Sequence, residues 1–91
     1  MKLDARQYRV AYHLLRRAAF LLNRDGLRTA QTGLTMRIWF PGCQRPVAAS
    51  YEPADGDGIR LRVDDPEGNL DRIATVQNAI TAPKRARKTN G

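Results

Sequence analysis

The sequence predicts a small α+β domain with an N-terminal amphipathic helix, a three-stranded antiparallel meander, a short C-terminal helix and a disordered basic tail. Apolar residues recur at helical spacing over residues 5–24. Apolar and polar residues alternate strictly in three segments between residues 34 and 64, and turn residues separate these segments. We therefore expect one domain over residues 1–82 and a tail over residues 83–91.

The first helix is predicted over residues 5–24. Asp4 is suited to the N-cap, and Gly26 is suited to the left-handed residue that follows a helix. The apolar stripe consists of Tyr8, Ala11, Tyr12, Leu15, Ala18, Ala19 and Leu22. Arginines occupy the opposite side of the same helix. Residues 27–33 are small and polar, and they predict a connection.

The three strands are predicted at residues 34–40, 46–52 and 59–64. Each places apolar residues on one face and polar residues on the other, which is typical of a sheet with one buried face. The links between them are short and contain proline and glycine, which favours adjacent antiparallel strands. We expect both helices to pack on the apolar face of this sheet.

The segment Asp65-Pro66-Glu67-Gly68 predicts a type I turn before residues 70–82. Asn69 as N-cap and an apolar stripe of Leu70, Ile73, Val76 and Ile80 favour a helix in residues 70–82. The alternative is a fourth strand, because this segment also contains β-branched residues. Residues 84–91 have no large apolar residue, and we expect them to be disordered.

Positive charge is concentrated at the two ends of the chain. The net charge is +7, with 16 basic and 9 acidic residues. Residues 1–33 and 70–91 are both strongly basic, whereas residues 34–69 are net acidic. Most of the basic residues are arginines, whose planar guanidinium binds phosphate or carboxylate through two hydrogen bonds. An anionic partner is therefore expected at the ends of the chain.

Catalytic and metal sites are not indicated by the sequence. A single cysteine excludes an internal disulfide and suits a reducing compartment, so we expect a cytoplasmic protein. His13 and Cys43 are the one pair that could form a cysteine–histidine centre, and no third group is evident to orient the histidine. No stretch is apolar enough to span a membrane. We expect a protein that is not an enzyme and needs no cofactor or metal.

Three surfaces are candidates for binding a partner. The first is the basic helix face, which carries an aromatic ring among its arginines; the second is the polar face of the sheet; and the third is the flexible polycationic tail. The candidate contact residues are Arg6, Arg9, Arg16, Arg17, Phe20 and Arg24 on the helix, Arg37, Trp39, Arg60 and Arg62 on the sheet, and Lys84, Arg85, Arg87 and Lys88 in the tail. On the sheet, Glu52 and Asp64 could instead neutralise the arginines across the strands.

These features favour a small, non-enzymatic protein associated with nucleic acid. The alternative is a protein-binding modulator or inhibitor, of the kind that phages and plasmids carry, which docks on an acidic or nucleic-acid-binding surface of its partner. The order helix, three strands, helix is similar to that of double-stranded-RNA-binding domains, although their lysine cluster has no match at residues 69–72. A domain of this size buries a limited fraction of its surface, which makes a homodimer a reasonable expectation.

Overall fold

The computed structural model describes residues 3–56 and 58–82. Its elements are helix α1 (Ala5–Arg24), strands β1 (Arg28–Thr32), β2 (Thr35–Trp39), β3 (Val47–Pro53) and β4 (Ile59–Asp64), and helix α2 (Leu70–Thr81). The strands form one antiparallel sheet in the order β1-β2-β3-β4. Both helices pack on the same face of this sheet. The predicted α+β class and both predicted helices are confirmed, whereas the predicted tail lies outside the described residues.

Strand β1 corrects the predicted three-stranded meander to four strands. It lies in the segment that was predicted to be a connection. That prediction was wrong because the inward-facing residues of the strand, Thr29 and Gln31, are polar and give no apolar alternation. Gln31 Nε2 donates a hydrogen bond to the carbonyl oxygen of Tyr12 on α1 at 3.1 Å, so a polar side chain is satisfied where an apolar one was expected. The sheet therefore has the fourth strand considered as an alternative, but at residues 28–32; residues 70–81 form α2, as the preferred prediction states.

Both ends of α1 are fixed by local hydrogen bonds. The Asp4 carboxylate accepts a hydrogen bond from the Gln7 backbone at 2.8 Å, and the Gln7 side chain accepts one from the Asp4 backbone at 3.0 Å. At the C-terminal end, Gly26 has a φ of 96°, and the Leu27 N–H donates to the carbonyl oxygen of Leu22 at 3.0 Å. This Schellman arrangement turns the chain from α1 directly into β1.

The connection between β4 and α2 also follows its sequence signals. Gly68 N–H donates to the carbonyl oxygen of Asp65 at 2.9 Å, which closes the predicted turn. The Asn69 side chain accepts hydrogen bonds from the backbone N–H groups of Asp71 and Arg72, which confirms Asn69 as the N-cap of α2. These bonds fix the point at which the chain leaves the sheet and returns over its inner face.

The core lies between the two helices and the inner face of the sheet. Met36 stands opposite Ala49 and Ile38 opposite Val47, so β2 and β3 supply the floor of the core. The fully buried core residues are Ala11, Leu15, Ala18, Leu22, Met36, Ile38, Val47, Ala49, Val76 and Ile80. Leu70, predicted on the apolar stripe of α2, is 77% exposed because it lies at the first residue of the helix. Among the described residues, neither helix has the length and apolar character needed to cross a bilayer.

Candidate nucleic-acid interface

The outer side of α1 carries a row of exposed residues, mostly arginines, which we call the helix face. Its members are Arg6, Arg9, His13, Arg16, Phe20 and Arg24, and all six are exposed. They lie opposite the buried stripe of Ala11, Leu15, Ala18 and Leu22, so they point away from the sheet. With a rise of 1.5 Å per residue, the face extends for about 27 Å from Arg6 to Arg24.

The arginines of the helix face are not neutralised within the described part of the chain. Ion pairs among residues 3–56 and 58–82 involve only Arg60, Arg62 and Arg72. The nearest acid in sequence at the N-terminal end, Asp4, is used in the capping box of α1. The guanidinium groups of the helix face are therefore available to an external anion.

Phe20 is the apolar member of the helix face and is 65% exposed. It borders a groove of about 610 Å³ between the C-terminal half of α1 and the outer side of α2. Leu21 and Arg24 line this groove from α1, and Thr75 and Ala79 line it from α2. An exposed ring between arginines can stack on a base or fill a pocket of a protein partner.

Arg17, also a candidate contact residue, has a different environment from its neighbours on α1. It is half-buried, and its Nη2 atom donates hydrogen bonds to the carbonyl oxygens of Ile80 at 3.0 Å and Ala82 at 2.7 Å. These carbonyls belong to the C-terminal end of α2, which a helix leaves without internal partners. A cation at that end is also favoured by the helix dipole. Arg17 therefore joins the two helices, and we leave it out of the proposed interface.

The outer face of the sheet combines small side chains with charged ones. Ala30, Arg37, Ala48 and Asp64 lie opposite one another across the four strands in the described register. Thr32, Thr35, Ser50 and Arg62 form the next such row. Neither α1 nor α2 covers this face, since both pack on the inner side. The predicted floor of small residues is thus present, and its charged residues decide what the face can bind.

On the β3–β4 half of this face, the arginines are paired with acids. Arg60 Nη2 lies 2.9 Å from the Glu52 carboxylate, and Arg62 Nε lies 3.1 Å from the Asp64 carboxylate. Arg62 Nη1 also lies 3.9 Å from Glu52. Two arginines and two carboxylates leave this half with no net charge. The neutralisation considered from the sequence is therefore present, with Arg60 paired to Glu52 across the strands. Arg62 pairs most closely with Asp64 on its own strand and only at 3.9 Å with Glu52 on β3.

On the β1–β2 half, the charge is not balanced. The Arg28 guanidinium carbon lies 4.4 Å from the centre of the Trp39 ring, which is a cation–π contact. Arg37, on the strand between Ala30 and Ala48, is exposed and belongs to none of the ion pairs of the described residues. Sequence reasoning missed Arg28 because residues 27–33 were predicted to be a connection. The signal that could have found it is Gly33, which has a φ of 59° in a two-residue hairpin turn.

His13 and Cys43, the pair considered for a cysteine–histidine centre, lie on different elements and make different contacts. His13 is exposed on α1 and contacts the Tyr12 ring edge-on, with centroids 5.6 Å apart. The Cys43 thiol, in the β2–β3 loop, donates to the carbonyl oxygen of Arg45 and to Glu67 Oε2. Within the part of the chain that the structure describes, no group of three or more histidine, cysteine, aspartate or glutamate residues is arranged to hold a metal ion.

Glu67 connects the β2–β3 loop to the turn before α2. Its carboxylate accepts hydrogen bonds from Arg72 Nη1 at 2.9 Å and from the Gln44 backbone at 3.2 Å. The hydrogen bond from Arg72, followed by that from Gln44, holds the pKa of this carboxyl below its ordinary value of 4.5. Arg72 also lies over the Phe40 ring, 5.9 Å from its centre. The Glu67 carboxylate therefore links the β2–β3 loop to the start of α2, and we call these contacts the latch.

Comparisons with protein-family models, curated proteins and solved structures gave no match to this chain.

Proposed function

We propose that this chain is a non-enzymatic cytoplasmic protein that associates with nucleic acid through the helix face. The observation that carries the proposal is the row of four exposed arginines, Arg6, Arg9, Arg16 and Arg24, that no described carboxylate neutralises. Such a row attracts the phosphate backbone and releases its condensed counterions on binding. The basic residues Lys84, Arg85, Arg87 and Lys88, outside the described residues, would add a second contact of the same kind.

The dimensions of the helix face suit a phosphate backbone. Its length of about 27 Å is enough for several successive phosphates of one strand. Arginine binds each phosphate through a planar pair of N–H donors, which positions the protein without reading the base sequence. We therefore expect binding to unrelated sequences with similar affinity and with a steep dependence on salt.

The test is a fluorescence anisotropy titration of labelled duplexes of unrelated sequence over a salt series. Wild type is compared with Arg9→Gln/Arg16→Gln on the helix face and with Arg60→Gln/Arg62→Gln on the neutralised half of the sheet. Both double variants lose two positive charges, so their net charges match. The helix-face variant is expected to lower the slope of log affinity against log salt by about 1.8, or about 0.9 for each lost phosphate contact. The sheet variant is expected to keep nearly the wild-type slope.

Two outcomes would contradict this proposal. The first is that wild type binds no duplex at ~50 mM salt, where phosphate contacts are strong. Equal losses in the two double variants would show that net charge alone, rather than the helix face, governs binding. Far-UV circular dichroism of each variant confirms that the fold is retained.

The exposure of Phe20 supports a second candidate function, that of a protein-binding modulator or inhibitor. An aromatic ring surrounded by arginines resembles an interface anchor within a charged rim, and the adjoining groove could accept a partner's side chain. Capture from nuclease-treated lysate of the native host separates the two candidates. A modulator would retain its partner after nuclease treatment, and the Phe20→Ala variant would lose that partner. The control is Leu70→Ala, which removes another exposed apolar side chain and should leave partner binding unchanged.

A further inference from the structure

The helix face and the outer face of the sheet point in opposite directions. Both helices pack on the inner face of the sheet, and the helix face lies on the side of α1 opposite its buried stripe. The core separates the two surfaces, and the molecule measures 40 × 38 × 20 Å along its principal axes. A straight nucleic-acid segment that contacts one surface therefore does not reach the other.

The β1–β2 half of the outer sheet face has the chemistry of a second anion-binding surface, which we call the sheet corner. It consists of Arg28, Arg37 and Trp39. Arg28 stands opposite Trp39, and Arg37 stands opposite Ala30, so the two arginines are diagonal neighbours on the same face. Ala30 is too short to cover either guanidinium. The Trp39 ring supports one face of the Arg28 guanidinium, whose N–H donors at the edge are left free to bind phosphate.

The two halves of the outer sheet face differ in whether their arginines have acidic partners. On β3 and β4, Arg60 and Arg62 each have a carboxylate within about one hydrogen-bond length. At the sheet corner, by contrast, neither arginine has an ion-pair partner among the described residues. Two neighbouring arginines without an acid repel each other on a sheet, and an external anion removes that repulsion.

We infer that the sheet corner binds a second nucleic-acid segment, so that one chain bridges two phosphate backbones. The inference rests on the proposed function, since the helix face supplies the first contact. Duplex DNA has a persistence length of about 50 nm, which makes it costly for one short duplex to bend around both faces. Two separate segments, or two distant parts of one long molecule, satisfy both surfaces without that bending. The chain thereby acts as a cross-link between nucleic-acid strands.

A two-duplex capture assay tests the bridge. One short duplex is immobilised on beads, the protein is added at low salt below saturation, and retention of a second, fluorescent duplex is measured. Bound protein is measured on the same beads. Arg28→Gln/Arg37→Gln is expected to remain bound to the first duplex within about twofold and to retain roughly tenfold less of the second. Arg60→Gln/Arg62→Gln, which removes the same charge from the same face, is expected to retain more of the second duplex than Arg28→Gln/Arg37→Gln does, although it leaves Glu52 and Asp64 unpaired.

The outcomes separate the bridge from the proposed function. If wild type binds the first duplex and captures no second one, the bridge is wrong and the proposed function stands. If Arg28→Gln/Arg37→Gln captures the second duplex as wild type does, bridging arises elsewhere, for example from two copies of the chain, and the sheet corner is wrong. If wild type binds neither duplex, both proposals fail. Arg9→Gln/Arg16→Gln should weaken binding to the first duplex and, in proportion, capture of the second.

Discussion

The helix face and the outer face of the sheet each carry four arginines, yet the two surfaces differ in how those charges are used. On the helix face, none of Arg6, Arg9, Arg16 and Arg24 takes part in the ion pairs of the described residues. On the sheet, two of the four are paired with carboxylates and a third is stacked on Trp39. The number of cations on a surface therefore does not determine how strongly it attracts an anion.

Geometry explains this difference. Residues that stand opposite each other in a sheet have Cβ atoms roughly 5 Å apart, so the sequence of one strand supplies partners for the next. Glu52 faces Arg60 across β3 and β4 in this way. On a helix, surface neighbours lie three or four residues along the same segment, and on α1 those positions hold Arg6, Arg9, His13 and Arg16. Charge on the helix face is thus left for a ligand.

The largest expected effect comes from Arg17, because this arginine of α1 stabilises the fold through its hydrogen bonds to α2. Arg17→Ala removes the hydrogen bonds to the carbonyl oxygens of Ile80 and Ala82. We expect the free energy of unfolding to fall by about 1.5–3 kcal/mol, the usual value for hydrogen bonds from a charged donor. Urea denaturation followed by Trp39 fluorescence measures the change.

Arg16→Ala is the matched control for Arg17→Ala, because it removes the adjacent arginine of the same helix. Arg16 is exposed, so we expect the Arg16→Ala substitution to change the free energy of unfolding of the protein by no more than about 0.5 kcal/mol. Binding to duplex should show the reverse order, with the larger loss in Arg16→Ala. Equal destabilisation by the two substitutions would mean that the contact between Arg17 and α2 contributes nothing to stability.

Removing the acids of the sheet should make the outer face resemble the helix face. Glu52→Gln/Asp64→Asn frees Arg60 and Arg62, and we expect the affinity of the outer sheet face for duplex at low salt to rise several-fold, because that face gains two arginines able to contact phosphate. Because these ion pairs are exposed, stability should fall by at most about 1 kcal/mol. Anisotropy titration measures the gain in affinity.

The control for this gain is Asp55→Asn/Asp71→Asn, which raises the net charge equally at two exposed acids away from these ion pairs. We expect it to produce a smaller gain than Glu52→Gln/Asp64→Asn. If both double variants gain affinity equally, the ion pairs do not keep Arg60 and Arg62 from binding phosphate, and the affinity depends only on the total charge of the protein.

Local signals allowed much of the fold to be predicted from the sequence. Asp4, Gly26 and Asn69 marked the helix ends because each acts through hydrogen bonds or backbone angles within a few residues. The alternating strands were predicted within one residue of their bounds, since the buried side of the sheet requires an apolar period of two. Strand β1 was missed because its inner face is polar and is satisfied by α1.

The candidate site was less predictable, because the availability of an arginine depends on residues that are distant in sequence. Arg17 is separated from Ile80 by 63 positions, and no local pattern reveals their contact. Arg28 became a candidate only when β1 placed it opposite Trp39. The residues of the helix face could be predicted from the sequence because they follow a single helical period. That they form no ion pairs with the described residues could be learned only from the positions of the acids in the fold.

The smallest expected effect concerns Glu67, an acid that serves neither cationic surface. Its pKa is lowered by the hydrogen bond from Arg72, so the folded state favours the ionised carboxylate. The stability that follows is present above about pH 4.5 and is lost as the pH falls through the lower pKa of the folded state. Glu67→Gln should therefore flatten the decline in thermal midpoint as the pH falls below about 4.5, while leaving duplex affinity at pH 7 unchanged. An acid decline as steep as that of wild type would show that the latch does not contribute to acid sensitivity, and a loss of affinity would place Glu67 within the interface.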